Sequence, residues 1–436
     1  MNTELESLAK RAQAEPRMRF SSLLGMVYDP AGLREAFGCQ DGRKAPGVDG
    51  IRKRDYAEGL DGRLTELSQQ LRQLGWRPSP TRRVYIPKGD GRYRPLGLPS
   101  FEDRLVQAQL GRVLSAIWEP EFRECSYGFR PGRSAHDALR RLAEVTTYGG
   151  TQWIVEADIK GFFDHVHHEH LMKFLAHRIS DPRILRLVRR FLKAGVMDDG
   201  VFHASEQGTP QGGLVSPVLS NIYLHYVLDL WFEKRFARQC LGRAYLVRYA
   251  DDFVACFEHE ADAWCFRGAL EERLAAFALE VEPAKTAVLR FGPGRQRSQT
   301  FTFLGFTHFE TRSRSGRFAV GRKTAATRVR RQLKRVSERL RALRTQPGNA
   351  MLVFLRRHLQ GYLQYYGVSG NLRSVRSYFM RTGRLLHRWL NRRSQRRSIN
   401  WDRLRPVLAS ALPTPRVVHN LHPVPPWRKP AGSRMV

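Results

Sequence analysis

Apolar residues recur along this chain at two spacings, and the switches between them mark out its elements. Leu33 and Phe37, four apart, belong to a helical stretch that stops at Gly42 and the turn run Ala45-Pro46-Gly47-Val48-Asp49-Gly50. Leu60, Leu64, Leu67 and Leu71 line one face of the next helix, which ends near Gly75. Residues 83–98 read as two strand-like pieces around Lys88-Gly89-Asp90-Gly91, a predicted hairpin. Helical periodicity returns over 103–118, a short β-rich run covers 152–158, and 171–192 is helical again. A run of turn residues, 208–213, leads into an amphipathic helix over 214–232. Tyr245–Phe257 is the clearest hairpin, two apolar strands hinged at Ala250-Asp251-Asp252. A helix over 261–278 and a third hairpin over 288–320 follow. From Arg322 onward the pattern predicts about three helices, broken at Pro347-Gly348 and Gly367–Asn371, and then a Pro-rich tail. Strands and helices mix without regular βαβ alternation, so the expected fold class is α+β followed by all-α.

Charge adds the first functional constraint. The 436 residues carry 74 Lys+Arg against 41 Asp+Glu, a formal net charge of +33. Residues 311–436 hold 30 of those cations and only Glu338 and Asp402 as acids, so +28 sits there and +5 on the first 310 residues. Such a surplus repels itself unless a polyanion neutralises it. Because Leu, Phe, Tyr and Trp are interleaved at helical spacing, a folded nucleic-acid-binding region is expected rather than a solvated tail. The five cysteines form no CxxC pair, which argues against a zinc ribbon or a disulfide scaffold. No stretch is long and apolar enough to predict a membrane span, so a soluble protein of a reducing compartment is expected.

Three carboxylates stand out by position. Asp158 ends the apolar run WIVEAD, and Asp251 and Asp252 occupy the tip of the 245–257 hairpin. Asp-Asp in a turn is by itself ordinary turn chemistry. Together with a third carboxylate from another strand end, it makes an all-oxygen donor set that suits Mg²⁺. Two such ions about 3.5–4 Å apart activate a hydroxyl and stabilise a leaving phosphate, which is phosphoryl-transfer chemistry. His165, His167, His168 and His170 fit neither HExxH nor a paired finger, and are expected to start a helix rather than hold metal.

At Tyr249-Ala250-Asp251-Asp252, within LVRYADDFVACF, the chain resembles reverse transcriptases. The series APGVDGI (45–51), IPKGDGRYRPLGLPS (86–100), ECSYGFRPGRSAHDAL (124–139), EADIKGFFDHV (156–166), GTPQGGLVSPVLSNIYL (208–224), EVEPAKT (280–286) and FTFLGF (301–306) is similar to group II intron-encoded reverse transcriptase/maturases. GYLQYYGVSGNL (361–372) and WLNRRSQRRSINW (389–401) resemble that family's maturase-specific thumb. The resemblance covers roughly residues 20–420. It implies a right-hand polymerase fold of fingers, palm and helical thumb.

It also implies a role for each matching residue. Asp158, Asp251 and the Ile159 carbonyl would hold two Mg²⁺ (Mn²⁺ as a substitute), with Asp252 in support. Gly161 and Phe162 would offer backbone N–H groups to the triphosphate, and Phe163 would be the steric gate selecting dNTPs. Lys88 and Arg94 would clamp the phosphates, Gln211 would touch nucleotide or template, and Lys285 would protonate the leaving pyrophosphate. Leu304 and Gly305 would grip the primer. For RNA, the resemblance and the charge point to Arg328, Arg331 and Arg335 on one helix and to Arg392, Arg393, Arg396 and Arg397 in a second cluster.

The expected domains are 1–80 (N-terminal extension and start of fingers), 81–320 (fingers/palm), 321–420 (thumb/maturase) and 421–436 (basic tail). About 16 residues follow Asn420 without a cysteine, so the chain resembles the class C members that lack an HNH endonuclease. The expected activity is RNA-directed DNA synthesis, with group II intron RNA, RNA template with DNA primer, dNTPs and target DNA as partners, no membrane, and a bacterial cytoplasmic setting. A domesticated enzyme of DNA repair or phage defence and a splicing-only maturase remain alternatives.

Overall fold

Eleven strands are present among the described residues: β1 (Thr81–Pro87), β2 (Tyr93–Leu98), β3 (Trp153–Asp158), β4 (Val196–Asp198), β5 (Val201–His203), β6 (Ala244–Tyr249), β7 (Asp252–Phe257), β8 (Ala287–Arg290), β9 (Phe301–Phe303), β10 (Phe306–Arg312) and β11 (Phe318–Thr324). They come from a computed structural model that describes residues 3–87, 93–209, 212–294, 299–313, 315–393 and 399–424. Three sheets result, ordered β2-β1-β4-β5, β6-β7-β3-β8 and β11-β10-β9. The second is antiparallel throughout.

That central sheet separates two hydrophobic cores. Val155, Ala157, Phe253, Ala255 and Phe257 point into the first, with the helices Phe101–Trp118, His168–Ala176, Ser216–Leu224 and Glu260–Ala275. Ile154, Val247, Val254 and Cys256 point into the second, with Ala135–Tyr148, Ala326–Ala342, Gly348–Tyr366 and Leu372–Leu390. Burial on both faces explains why these strands read as continuous apolar runs rather than alternating ones.

Several elements differ from the sequence reading, each for a local reason. The expected helix 171–192 is two, His168–Ala176 and Pro182–Leu192. Pro182 starts the second, and the Asp181 carboxylate caps it by accepting the Arg183 N–H at 3.0 Å. The expected helix 214–232 is α-helical only over Ser216–Leu224 and then widens to π turns over His225–Asp229 and Phe232–Phe236. The expected hairpin 288–320 does not form. β8 joins β3 in the central sheet, and the chain then leaves for the third sheet. Phe291, fully buried, meets Phe301 edge-on at 4.9 Å where the chain changes sheet. β11 continues to Thr324, past the expected helical start, and among the described residues four α-helices follow rather than about three. The short β4–β5 hairpin, parallel to β1 through β4, carries too few residues to show a period.

Candidate active site

The register of the central sheet brings the predicted carboxylates together. Asp158, last in β3, lies directly across from Asp252, first in β7. Asp251 precedes it in the tight turn, where Ala250 takes φ +57°. Gly128 packs against that turn so closely that a Cβ would stand 2.4 Å from the Ala250 nitrogen. Residue 128 must therefore be glycine.

Crowding of anions shows in their protonation. Burial, together with the charges of Asp158, Asp251 and Glu156, pushes the Asp252 carboxyl up to about 7. The Asp251 carboxyl is also raised, by burial first and then by Asp158, while the Arg94 and Lys285 charges oppose the shift. Lys285 forms an ion pair with Asp158. Among the described residues no three His, Cys, Asp or Glu side chains close into a metal cage. The donor set still fits Mg²⁺ acting on nucleotides, because that ion commonly takes one or two carboxylates and completes its shell with substrate phosphates and water. The Ile159 carbonyl sits beside these donors, between two backbone bonds, Glu282 N–H to Asp158 C=O (2.8 Å) and Lys160 N–H to Glu280 C=O (2.9 Å).

Next to Asp158 the chain turns through Gly161, at φ +54°, into the short helix Phe162–His165. Phe162 is core, 2% exposed, whereas Phe163 is half-buried and meets it edge-on at 5.5 Å. Phe163 also lines a cavity of about 830 Å³ with Arg83, Pro95, Gly97, Gly208 and Thr209, between the β1–β2 hairpin and the segment 203–209. Arg94 on β2 is exposed and near enough to Asp251 for its charge to be felt. Lys88 and Gln211 lie outside the described residues. Leu304 (φ +49°) and Gly305 (φ +78°) make the β9–β10 turn. The Leu304 carbonyl accepts the Tyr365 hydroxyl at 2.9 Å, and its backbone also hydrogen-bonds the Asp252 carboxylate. The β9–β10 turn is therefore docked on Asp252. His168 starts the helix His168–Ala176 and is 6% exposed, bonded to the Gly208 carbonyl at 2.8 Å.

Of the arginines, Arg328 lies beside Gly305, its Nε 3.7 Å from where a Cβ there would stand. Its charge and that of Arg331 are both felt at Tyr366. Arg335 continues the same helical stripe. Arg392 stands over the Trp389 ring at 5.4 Å, and Arg393 follows it in the turn after helix Leu372–Leu390. Arg396 and Arg397 lie outside the described residues.

Two groups were missed by the sequence reading. Glu156 shares the face of Asp158, accepts the Thr302 N–H at 3.5 Å, and is pushed up to about 7 by burial and by Asp158. Its position two residues before Asp158 on a strand was the available signal. Arg248, fully buried, donates from Nε to Asp229 at 2.7 Å and from its terminal nitrogens to Asn221 Oδ1 (3.1 Å), the Ala250 carbonyl (3.0 Å) and Ser126 Oγ (2.8 Å). It thus ties the Ala250-Asp251 turn to Ser126 and to the helical segment that carries Asn221 and Asp229. Nothing in the local sequence distinguishes it from a surface arginine.

Residues 86–308 match the model of the reverse transcriptase (RNA-dependent DNA polymerase) family. The chain belongs to this family. This reverse transcriptase is 37% identical over 351 residues to protein YkfC of Escherichia coli, covering 72% of its own length and 89% of that relative. It is 37% identical over 241 residues to the group II intron-encoded protein LtrA of Lactococcus lactis, covering 54% of its own length but 39% of that protein. A nuclear intron maturase of Arabidopsis thaliana matches at 33% over 95 residues, 22% of this chain and 13% of that one. The matched family region contains all three carboxylates, the β9–β10 turn and Phe163. Among the described residues no helix is long and apolar enough to cross a membrane.

Proposed function

We propose that this reverse transcriptase copies RNA into DNA at the Asp158–Asp251–Asp252 cluster and also binds a group II intron RNA to assist its splicing and mobility. The observation that carries the catalytic reading is the β3–β7 register, which sets Asp158 against Asp252 beside the Asp251 turn. In this reading the central sheet is the palm, the β1–β2–β4–β5 sheet belongs to the fingers, and the helices from Ala326 on form the thumb; the boundaries are those expected above, 1–80, 81–320, 321–420 and 421–436.

Asp158, Asp251 and the Ile159 carbonyl would hold divalent cations, with Asp252 lending charge behind them. Bound there, such ions supply a lowered pKa for the primer 3′-hydroxyl and charge stabilisation for the departing pyrophosphate. The chain does the positioning. Gly161 and Phe162 offer main-chain N–H groups, Arg94 and Lys88 clamp phosphates, Gln211 contacts nucleotide or template, and Lys285 returns a proton to pyrophosphate. Phe163 closes the space under the sugar. Leu304-Gly305, tied to Tyr365 and Asp252, sets the primer terminus relative to the carboxylates. Arg328, Arg331, Arg335, Arg392, Arg393, Arg396 and Arg397 hold nucleic acid along the thumb. The intron reading is supported by the printed names of LtrA and the plant maturase and by the +28 charge beyond residue 310.

Primer extension on poly(rA)·oligo(dT) tests the catalytic half. Asp251→Asn should lower the rate on the order of 10³-fold or more while leaving template binding intact. Extension that survived the change would refute the assignment of the carboxylates.

A further inference from the structure

The cations of the thumb divide between two faces. On helix Ala326–Ala342, Arg328 lies at the primer-grip turn. Arg331 and Arg335 follow it at helical spacing on the same stripe. Arg330, two residues from Arg328, is rotated about 200° away. It lines a different feature, a cavity of about 680 Å³ between that helix, strand β11 and the start of helix Leu372–Leu390. Lys323, Arg373 and Arg381 line the same cavity with the hydroxyls of Ser374 and Ser377, and its floor is Tyr378, fully buried.

No carboxylate lines this cavity. Glu310 alternates to the opposite face of β10 from Phe309, which is in the wall. Arg330, Arg373 and Arg381 are exposed, and among the described residues none of the three has a hydrogen bond or ion pair to the protein. Lys323 lies over the Phe309 ring at 5.5 Å, which holds its charge at the rim. Behind them Arg322 is 3% exposed and spends both terminal nitrogens on the Leu421 carbonyl, leaving Nε without a partner. Four exposed cations around one concavity, Lys323, Arg330, Arg373 and Arg381, with hydroxyl donors and no carboxylate in the lining, repel one another until an anion enters. Phosphodiester oxygens satisfy that chemistry, since Arg pairs with them bidentately and Ser hydroxyls complete the contact.

We propose that this pocket is an outward-facing site for the phosphate backbone of folded RNA, used while the Arg328 stripe holds the template–primer. It rests on the reading of this chain as an intron-RNA binder and adds that the two nucleic acids are held at once, on separate faces of the same helix pair. A stable ternary complex then needs no exchange of one polyanion for the other.

The test uses the full chain, a folded group II intron transcript, an unrelated hairpin RNA and a poly(rA)·oligo(dT) duplex. A variant carrying Lys323→Gln, Arg330→Gln, Arg373→Gln and Arg381→Gln changes only exposed side chains. It should weaken intron RNA binding by about tenfold or more and reduce the slope of log affinity against log salt by roughly 3. Its KM for the duplex should stay within about twofold of the parent, whereas Arg328→Gln with Arg331→Gln should raise that KM. Wild-type protein saturated with duplex should still take up the intron transcript. Equal weakening toward both nucleic acids, unchanged RNA binding, or mutual exclusion of the two would overturn the proposal. If the wild type bound the intron no better than the hairpin, the intron reading would fall. A loss of salt slope on the hairpin alone would still support the pocket.

Discussion

Asp252 and Glu156 illustrate how a single carboxylate is read differently once its neighbours are known. Each is pushed up to about 7, from ordinary values of 3.8 and 4.5, by burial and by adjacent anions. In the fold they keep protons that the unfolded chain has already released, so their contribution to stability falls as pH rises from about 4 through about 7. The metal-free protein in chelator should therefore melt at a lower temperature at pH 8 than at pH 5, and added Mg²⁺ should recover part of the loss at pH 8. Asp252→Asn should flatten the dependence; an unchanged pH profile in that variant would show that the carboxyl is not anomalous. Phe163 offers a second test at this scale. It lines the cavity shared with Gly97 and Gly208, while Phe162 is core, so Phe163→Ala should raise ribonucleotide incorporation on the order of 10–100-fold with little change in melting temperature. Phe162→Ala should instead destabilise the fold by about 3–5 kcal/mol.

At the scale of elements, the Ala250-Asp251 turn depends on Arg248. Its guanidinium joins β6 to the Ala250 carbonyl, to Ser126, two residues before Gly128, and to Asn221 and Asp229 on the helical segment from Ser216 to Asp229. Asp229 faces it from a π turn, where the wider winding departs from the α-helical register expected for 214–232. Removing one partner leaves a buried charge alone. Arg248→Met should cost about 3–5 kcal/mol, and Arg248→Met with Asp229→Leu should recover much of that. The double variant should nevertheless extend primers poorly, because the Ala250 carbonyl is no longer held. Full activity in a restored fold would make Arg248 purely structural. The helices and hairpins around this cluster were mostly legible, since Leu60–Leu71 and Tyr245–Phe257 carry clear periods. The split at Pro182 and the divergence of β8 from β9–β11 were not, because Asp181 is fixed by Leu23 and Leu24 and Phe291 by a second sheet.

Across the whole molecule, one sheet buried on both faces couples the two cores, and Asp158 and Asp252 lie at the ends of its two central strands on the face shared with the second core. The C-terminal segment closes that core. His419 stacks on His136 at 4.1 Å, Leu421 is fully buried, and Ser369 Oγ accepts the Leu421 N–H at 2.9 Å. With +28 beyond residue 310, the C-terminal region repels itself, so bound polyanion should stabilise it. A saturating folded RNA should raise the melting temperature by several degrees at low salt and progressively less as salt rises. A salt-independent shift would mean that phosphate contacts are not the source.

The sequence by itself determined the chemistry on offer: three carboxylates at strand ends, a bulky ring after the first of them, a grip turn that needs Gly305, and a basic helical region. Those features are local in composition and period, so they survive without knowledge of neighbours. Only the tertiary structure decided that Asp158 faces Asp252, that Glu156 joins them, and that Arg248 is a buried tether. It alone separated Arg328 from Arg330. Burial and charge pairing are set by residues distant in the chain, and helical spacing tells which arginines share a face but not what that face meets.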